Sequence, residues 1–234
     1  MANHCIATKH IFRKLSSSTK SGNSLNDRLY HERTLWAEDY NNVMGLDEVG
    51  RGCLCGPVVA AGVIFEAGFE PNIKIRDSKA ISLKERKELS DEIKKTAKSW
   101  IIQSCTPKEI DNLNILQASI KAMINCAEKS EVEPDYLLVD GNRYTSSVIP
   151  YSCIIKGDDK SASIAAASIL AKVYRDDLMK KLHEEYPCFG WDSNVGYPTQ
   201  THLKALEKYG YTKYHRLSFN LRTDQPFKLP VDAE

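Results

Sequence analysis

Three short apolar runs in this chain end in carboxylates beside a glycine, and that recurrence constrains the fold more than any other feature. Val43 to Asp47 leads into Glu48 and Gly50, Tyr136 to Asp140 into Gly141, and Val148 to Lys156 into Gly157, Asp158 and Asp159. Runs of this length, rich in β-branched residues and bounded by glycine, read as buried strands. Val58 to Phe65 and Trp100 to Cys105 have the same character without a terminal acid.

Between these runs the apolar period becomes helical. Ser82-Leu83-Lys84-Glu85 and Thr106-Pro107-Lys108-Glu109 have capping-box spacing, the second with proline at the first helical position. Leu89, Ile93 and Ala97 mark a narrow stripe after the first box. Leu116, Ile120, Met123, Ile124 and Ala127 mark one helical face after the second. Ser161 to Glu185 predicts a long helix whose first half, Ile164 to Ala171, is apolar almost all round and therefore buried. Pro187, Gly190, Gly196 and Pro198 then mark a loop, and a last helix is expected from about Gln200 to Tyr209. Strands and helices share one stretch of chain, which gives an α/β class: a mixed β-sheet flanked by helices.

Composition narrows the function. The 234 residues are 42% hydrophobic, enough for a sizeable core. Lys plus Arg is 32 and Asp plus Glu 31, so net charge alone does not grip a polyanion, and a nucleic-acid site must be a local basic surface. Lys204 to Arg222 is the candidate, with Lys204, Lys208, Lys213, Arg216 and Arg222 against Glu207. The longest apolar runs are too short for a bilayer, so no membrane role is expected. Seven cysteines without a CxxC pair argue against a disulfide framework or a four-cysteine zinc site. They fit a reducing, cytoplasmic setting. Residues 1–26 carry Lys9, Arg13, Lys14 and Lys20 but no acid, which fits a disordered basic tail, the preferred reading, or an organellar transit peptide.

Acids from several strands meeting at one sheet edge repel each other unless a cation lies between them. The carboxyl ends of strands are also where α/β sheets bind ligands. Carboxylate ligands without Cys or His favour Mg²⁺ or Mn²⁺, and a pair of such ions suits in-line phosphoryl chemistry. Solvated loop acids are the plain alternative, less apt for three strand ends than for one. One tension remains: neighbours on a strand point to opposite faces, so Asp47 and Glu48 do not share one ion unless a strand end or bulge intervenes.

The same residues carry a family resemblance. Gly45-Leu46-Asp47-Glu48-Val49-Gly50-Arg51-Gly52 with Gly56-Pro57-Val58-Val59-Ala60-Ala61 resembles the opening motif of ribonuclease HII. Asp77-Ser78-Lys79, Asn114-Ile115-Leu116-Gln117-Ala118, Val139-Asp140-Gly141-Asn142 and Lys156-Gly157-Asp158 with the helix after it are similar to further family elements in order. So are Gly196-Tyr197, Thr201-His202-Leu203 and the closing His215-Arg216, Ser218 and Phe219. Ribonuclease HIII is less similar. Cys53, Cys55 and Pro198 depart from the pattern, and Pro198 is expected to stiffen the loop that holds Tyr197.

The resemblance implies an RNase H-like fold with a small helical C-terminal subdomain. Residues 1–28 would be tail, 29–188 the catalytic domain, and 189–234 the subdomain and its tail. It implies an endonuclease that hydrolyses the RNA strand of RNA–DNA hybrids and cuts 5′ of single ribonucleotides in duplex DNA, leaving 5′-phosphate and 3′-hydroxyl ends. Asp47, Glu48, Asp140 and Asp158 would be catalytic and hold two divalent ions, with Asp159 a solvated neighbour. Gly50, Arg51 and Gly52 would read the 2′-hydroxyl, the group that distinguishes RNA. Tyr197 would stack on the adjacent deoxyribose, and Lys79, Lys156, Lys172 and Arg216 would meet phosphates. His202 and His215 are expected to be structural. The partners would be the hybrid and ribonucleotide-containing duplexes, met by a monomer. A non-catalytic binding module would have lost an acid. A small-molecule phosphatase would replace Gly50-Arg51-Gly52 and Tyr197 with a compact pocket motif.

Overall fold

The computed structural model describes residues 28–70, 82–145 and 148–219. The tail before Arg28, the segment around Lys79, and Arg222 lie outside these residues. Five strands make one sheet in the order β3-β2-β1-β4-β5: β1 Val43–Val49, β2 Val58–Ile64, β3 Ser99–Cys105, β4 Tyr136–Asp140 and β5 Tyr151–Ile154. β1, β2 and β3 form an antiparallel meander, while β4 runs parallel to β1 and β5 parallel to β4. The helices are α1 Tyr30–Trp36, α2 Leu83–Thr96, α3 Pro107–Leu113, α4 Ile115–Glu128, α5 Gly157–Lys160, α6 Ala162–Glu185, α7 Trp191–Asn194 and α8 Gln200–Tyr209.

Alternation along the strands assigns the two faces. Val59, Ala61 and Val63 of β2 pack with Ala166, Ile169 and Leu170 of α6. Val58, Ala60 and Ile64, with Met44 and Leu46 of β1, pack against Ala118, Ala122 and Met123 of α4. A separate cluster of Leu54, Cys55, Met179, Phe189, Trp191, Ala205 and Leu206 joins the end of α6 to α7 and α8. Both capping boxes form as their spacing predicts, Ser82 on Glu85 and Thr106 on Glu109.

Three sequence expectations change. The helix expected after Thr106 is broken at Asn114, which takes φ 69° and caps the next helix by accepting the Gln117 N–H. Its side chain carries the oxygen a cap needs. The strand expected from Val148 to Lys156 is confined to Tyr151–Ile154. The long helix begins one residue later than read, because Ser161 is its cap.

α6 approaches β1 backbone to backbone. A Cβ on Gly45 would stand 2.2 Å from the carbonyl carbon of Ser163, so only glycine fits there. The start of α6 is tied to α1 by buried Glu32, whose Oε1 accepts from the Ser161 and Ser163 hydroxyls at 2.6 Å each and from the Ser163 N–H at 2.9 Å. A carboxylate on the first N–H groups of a 24-residue helix meets the positive end of its dipole. No helix among the described residues is long and apolar enough to cross a membrane.

Candidate active site

β1 brings Asp47 and Glu48 to the edge where β4 ends in Asp140. Pairing with β4 stops at Leu46↔Val139, whereas pairing with β2 continues through Asp47↔Ala61, Glu48↔Ala60 and Val49↔Val59. No bulge intervenes, so the two acids part to opposite faces. Asp47 turns toward α6 and bonds the Ser168 side chain, and its Oδ1 accepts the Glu48 N–H at 2.8 Å. Glu48 turns to the α4 side, where it lines a cleft with Arg51, Ser119, Met123, Asp140 and Asn142. Pairing on the β4 side ends at Leu46, and the charge of Asp140 acts on both carboxyls although they lie on opposite faces of β1.

Asp140 is linked to the fourth acid through the backbone. Its Oδ1 accepts the Gly157 N–H at 2.7 Å, and Asp158 is the next residue, in the first turn of α5. Burial pushes the Asp47 carboxyl well above the usual range, and the charges of Glu48 and Asp140 push it further. Burial also raises Glu48, which the Arg51 guanidinium partly offsets; Arg51 Nη1 lies 3.0 Å from Glu48 Oε1. This crowding of carboxylates, all hard oxygen donors, fits a hard divalent cation.

Tyr197, nearly 150 residues later in the chain, meets the loop that follows these acids. A Cβ on Gly52 would stand 3.7 Å from its ring. The Tyr197 side chain bonds that of Cys53, its N–H donates to Asn194 O at 2.9 Å, and its carbonyl accepts the Thr199 N–H at 2.8 Å. Lys172 is engaged by Asp176, with Nζ 2.7 Å from Oδ1. Arg216 corrects the sequence reading. It is 1% exposed rather than facing phosphate, and all three of its recorded side-chain bonds go to backbone carbonyls.

Hydrogen bonds fix the tautomers of the two histidines. Thr212 N–H donates to His215 Nδ1, so the His215 proton sits on Nε2 and points to His202 Nε2, 3.1 Å away. His202 Nε2 also accepts the Trp191 indole N–H, which leaves its proton on Nδ1 to donate to Tyr197 O at 3.0 Å. With Cys55 these rings form the one group among the described residues whose ligating atoms lie within 4.8 Å of each other. Both rings spend their lone pairs on this network, and burial pushes the Cys55 thiol up, so the cluster reads as a polar core rather than a metal centre.

That network predicts acid sensitivity. Burial, with His202 beside it, lowers His215 to about 3, so the ring is neutral when folded and takes a proton near 6.5 when unfolded. Its contribution is complete above about pH 6.5 and is lost as pH falls toward 3. From pH 7.5 to 5.0 the wild type should lose about 2 kcal/mol through this group, and His215→Gln should flatten the slope. Urea melts at the two pH values decide; equal slopes for both proteins would remove the assignment.

A mixed five-stranded sheet with helices on both faces and carboxylates converging from adjacent strands defines a metal-dependent hydrolase of the RNase H-like class. The model of the family described as ribonuclease HII matches residues 44–222. Ribonuclease HII of Salinibacter ruber is 50% identical over 200 residues, spanning 84% of this chain and all of that protein. Ribonuclease HII of Christiangramia forsetii is 52% identical over 184 residues, 78% of this chain and 92% of that one. The crystal structure of ribonuclease H2 from Pyrococcus horikoshii superposes with a TM-score of 0.67 at 25% identity, over 76% of this chain and 93% of that one. The chain belongs to the ribonuclease HII family. It is a metal-dependent ribonuclease H, an endonuclease acting on RNA–DNA hybrids.

Proposed function

We propose that this enzyme cuts duplex DNA on the 5′ side of a single embedded ribonucleotide, leaving a 3′-hydroxyl and a 5′-phosphate, with two Mg²⁺ or Mn²⁺ ions held by Asp47, Glu48, Asp140 and Asp158. The observation that carries the reading is the closeness of the Tyr197 ring to Gly52, where an added Cβ would stand 3.7 Å from it, which sets an aromatic surface beside a glycine-bearing loop at the acids.

The chain's own residues supply the alignment. Arg51 and Gly52, both exposed, offer backbone groups to the 2′-hydroxyl, while Gly50 is buried against Arg175 and shapes the turn that presents them. Tyr197, 42% exposed, offers a ring face to the next sugar. Arg51 is half exposed at its tip and exchanges Glu48 for a backbone phosphate. Bound divalent ions would lower the pKa of a water and offset the charge of the phosphodiester. The carboxylates hold those ions, and Gly157 N–H fixes the Asp140 carboxylate in place. Lys172 and Lys79 serve as further phosphate contacts.

Gel mapping on three duplexes tests this: all-DNA, one ribonucleotide, and a run of four. The expected result is a single cut 5′ of the lone ribonucleotide and none in all-DNA. Tyr197→Ala and Arg51→Ala should lower turnover more than binding. Cleavage of the run of four alone would overturn the single-ribonucleotide reading and point to Pro198, next to Tyr197.

A further inference from the structure

Two arginines are buried where no carboxylate forms an ion pair with them among the described residues. Arg175 on α6 is 0% exposed and donates to Pro57 O at 3.0 Å, Cys55 O at 3.1 Å and Val195 O at 2.8 Å. Arg216 in the closing segment donates to Gly56 O at 3.0 Å, Arg51 O at 3.0 Å and Gly50 O at 2.7 Å. Burying like charges near one another is costly: burial first, and the charge of Arg175 beside it, lower the affinity of Arg216 for its proton. A fold that keeps such a pair gains what a guanidinium does uniquely: it gathers several carbonyls in one fixed plane.

Peptide geometry shows what is fixed. A trans peptide carries its C=O and N–H antiparallel, and no cis bond occurs in the described chain. Gly50 O and Arg51 O turn inward to Arg216. The N–H groups of Arg51 and Gly52, in the same two peptide planes, therefore turn away from it. Neither N–H has an acceptor among the described residues, and both residues are exposed. On the other side, Gly50 has φ +93°, and a Cβ there would stand 2.2 Å from Arg175 Nε. The loop is thus clamped between two guanidinium groups with two N–H donors presented outward.

We infer that Arg216 is a positioning residue, which sets the Arg51 and Gly52 N–H groups as the pair of donors that measures the 2′-hydroxyl. This rests on the reading of Gly50-Arg51-Gly52 under Proposed function and extends it to a residue that never meets substrate. The brace is itself anchored: Arg216 N–H donates to Leu54 O at 2.9 Å, and Gly56 N–H to Tyr214 O at 2.8 Å. The carboxylate of Asp111, on α3, accepts the Leu217 N–H at 3.1 Å, the Ser218 N–H at 2.9 Å and the Ser218 hydroxyl at 2.6 Å. Asp111 therefore holds the segment that holds the loop, from outside the core.

The test uses the full chain with Mg²⁺, on a duplex with one ribonucleotide and on its all-DNA counterpart as a binding control. Wild type must first cut at the ribonucleotide; if it does not, the reading of the loop fails and the brace is not at issue. With wild type active, Arg216→Lys keeps the charge but loses the planar fork. The expected result is a fall in kcat of about 10²-fold with KM within about 3-fold, since alignment is lost while phosphate contacts remain. The cut should also spread to neighbouring phosphates when four ribonucleotides are present. Asp111→Asn leaves the core untouched and should move the same readouts part of the way, so the inference stays testable if Arg216→Lys does not fold. Simple destabilisation would lower the active fraction equally on every substrate and leave cut positions unchanged. That pattern, or wild-type kcat and cut positions in the folded variant, overturns the inference.

Discussion

Asp140→Asn should lower turnover on an RNA–DNA hybrid by at least about 10²-fold, the scale of losing several kcal/mol of metal-assisted stabilisation, while the protein stays folded. The amide oxygen of asparagine can still accept the Gly157 N–H that Asp140 Oδ1 accepts at 2.7 Å, so the link to α5 survives. What disappears is one negative charge facing Asp47 and Glu48. Asp47, raised by burial and by both neighbours, should ionise more readily in the variant. Thermal stability should hold or rise, because repulsion is relieved. Asp47→Asn and Asp158→Asn should show the same loss. Steady-state rates paired with melting curves check this, and near-normal cleavage by any two variants would remove the site.

Excess EDTA should abolish cleavage outright, and Mg²⁺ or Mn²⁺ should restore it. The acids offer oxygen alone, so Zn²⁺, which prefers sulfur and nitrogen, should substitute poorly. Raising salt should weaken binding of the duplex through counterion release without changing where it is cut. The comparison separates two proposed roles of charge: the ions acting on the chemistry, and the phosphate contacts acting on encounter. Undiminished cleavage in EDTA would leave Asp47, Glu48, Asp140 and Asp158 without the role proposed for them.

Much of the fold was legible because local signals agreed with it. Glycine-bounded apolar runs became β1, β2 and β4, and Ser82 and Thr106 capped the helices their spacing announced. Asn114 shows the limit of periodicity. The apolar stripe continues in phase across it, while its φ of 69° and its cap divide the helix. The motif that resembles the family's begins at this residue, and the stripe alone does not mark it. The acids were readable because a carboxylate after a buried strand has few structural uses. Arg175 and Arg216 were not, since a charged residue in sequence looks like surface. Their burial depends on carbonyls gathered from residues up to 166 positions away. Ser168, which bonds Asp47 from inside an apolar helix, was hidden for the same reason: its partner is far in sequence and adjacent in space.

The Arg216 brace also sets an order of events during synthesis. The loop at Gly50 leaves the ribosome early, soon after Asp47 and Glu48, and the residue that shapes it follows 166 positions later. Asp140 and Asp158 emerge in between. A nascent chain thus carries all four acids before it carries the arginine that braces the loop beside them. On this ordering the Gly50 loop waits through most of synthesis for the guanidinium that braces it.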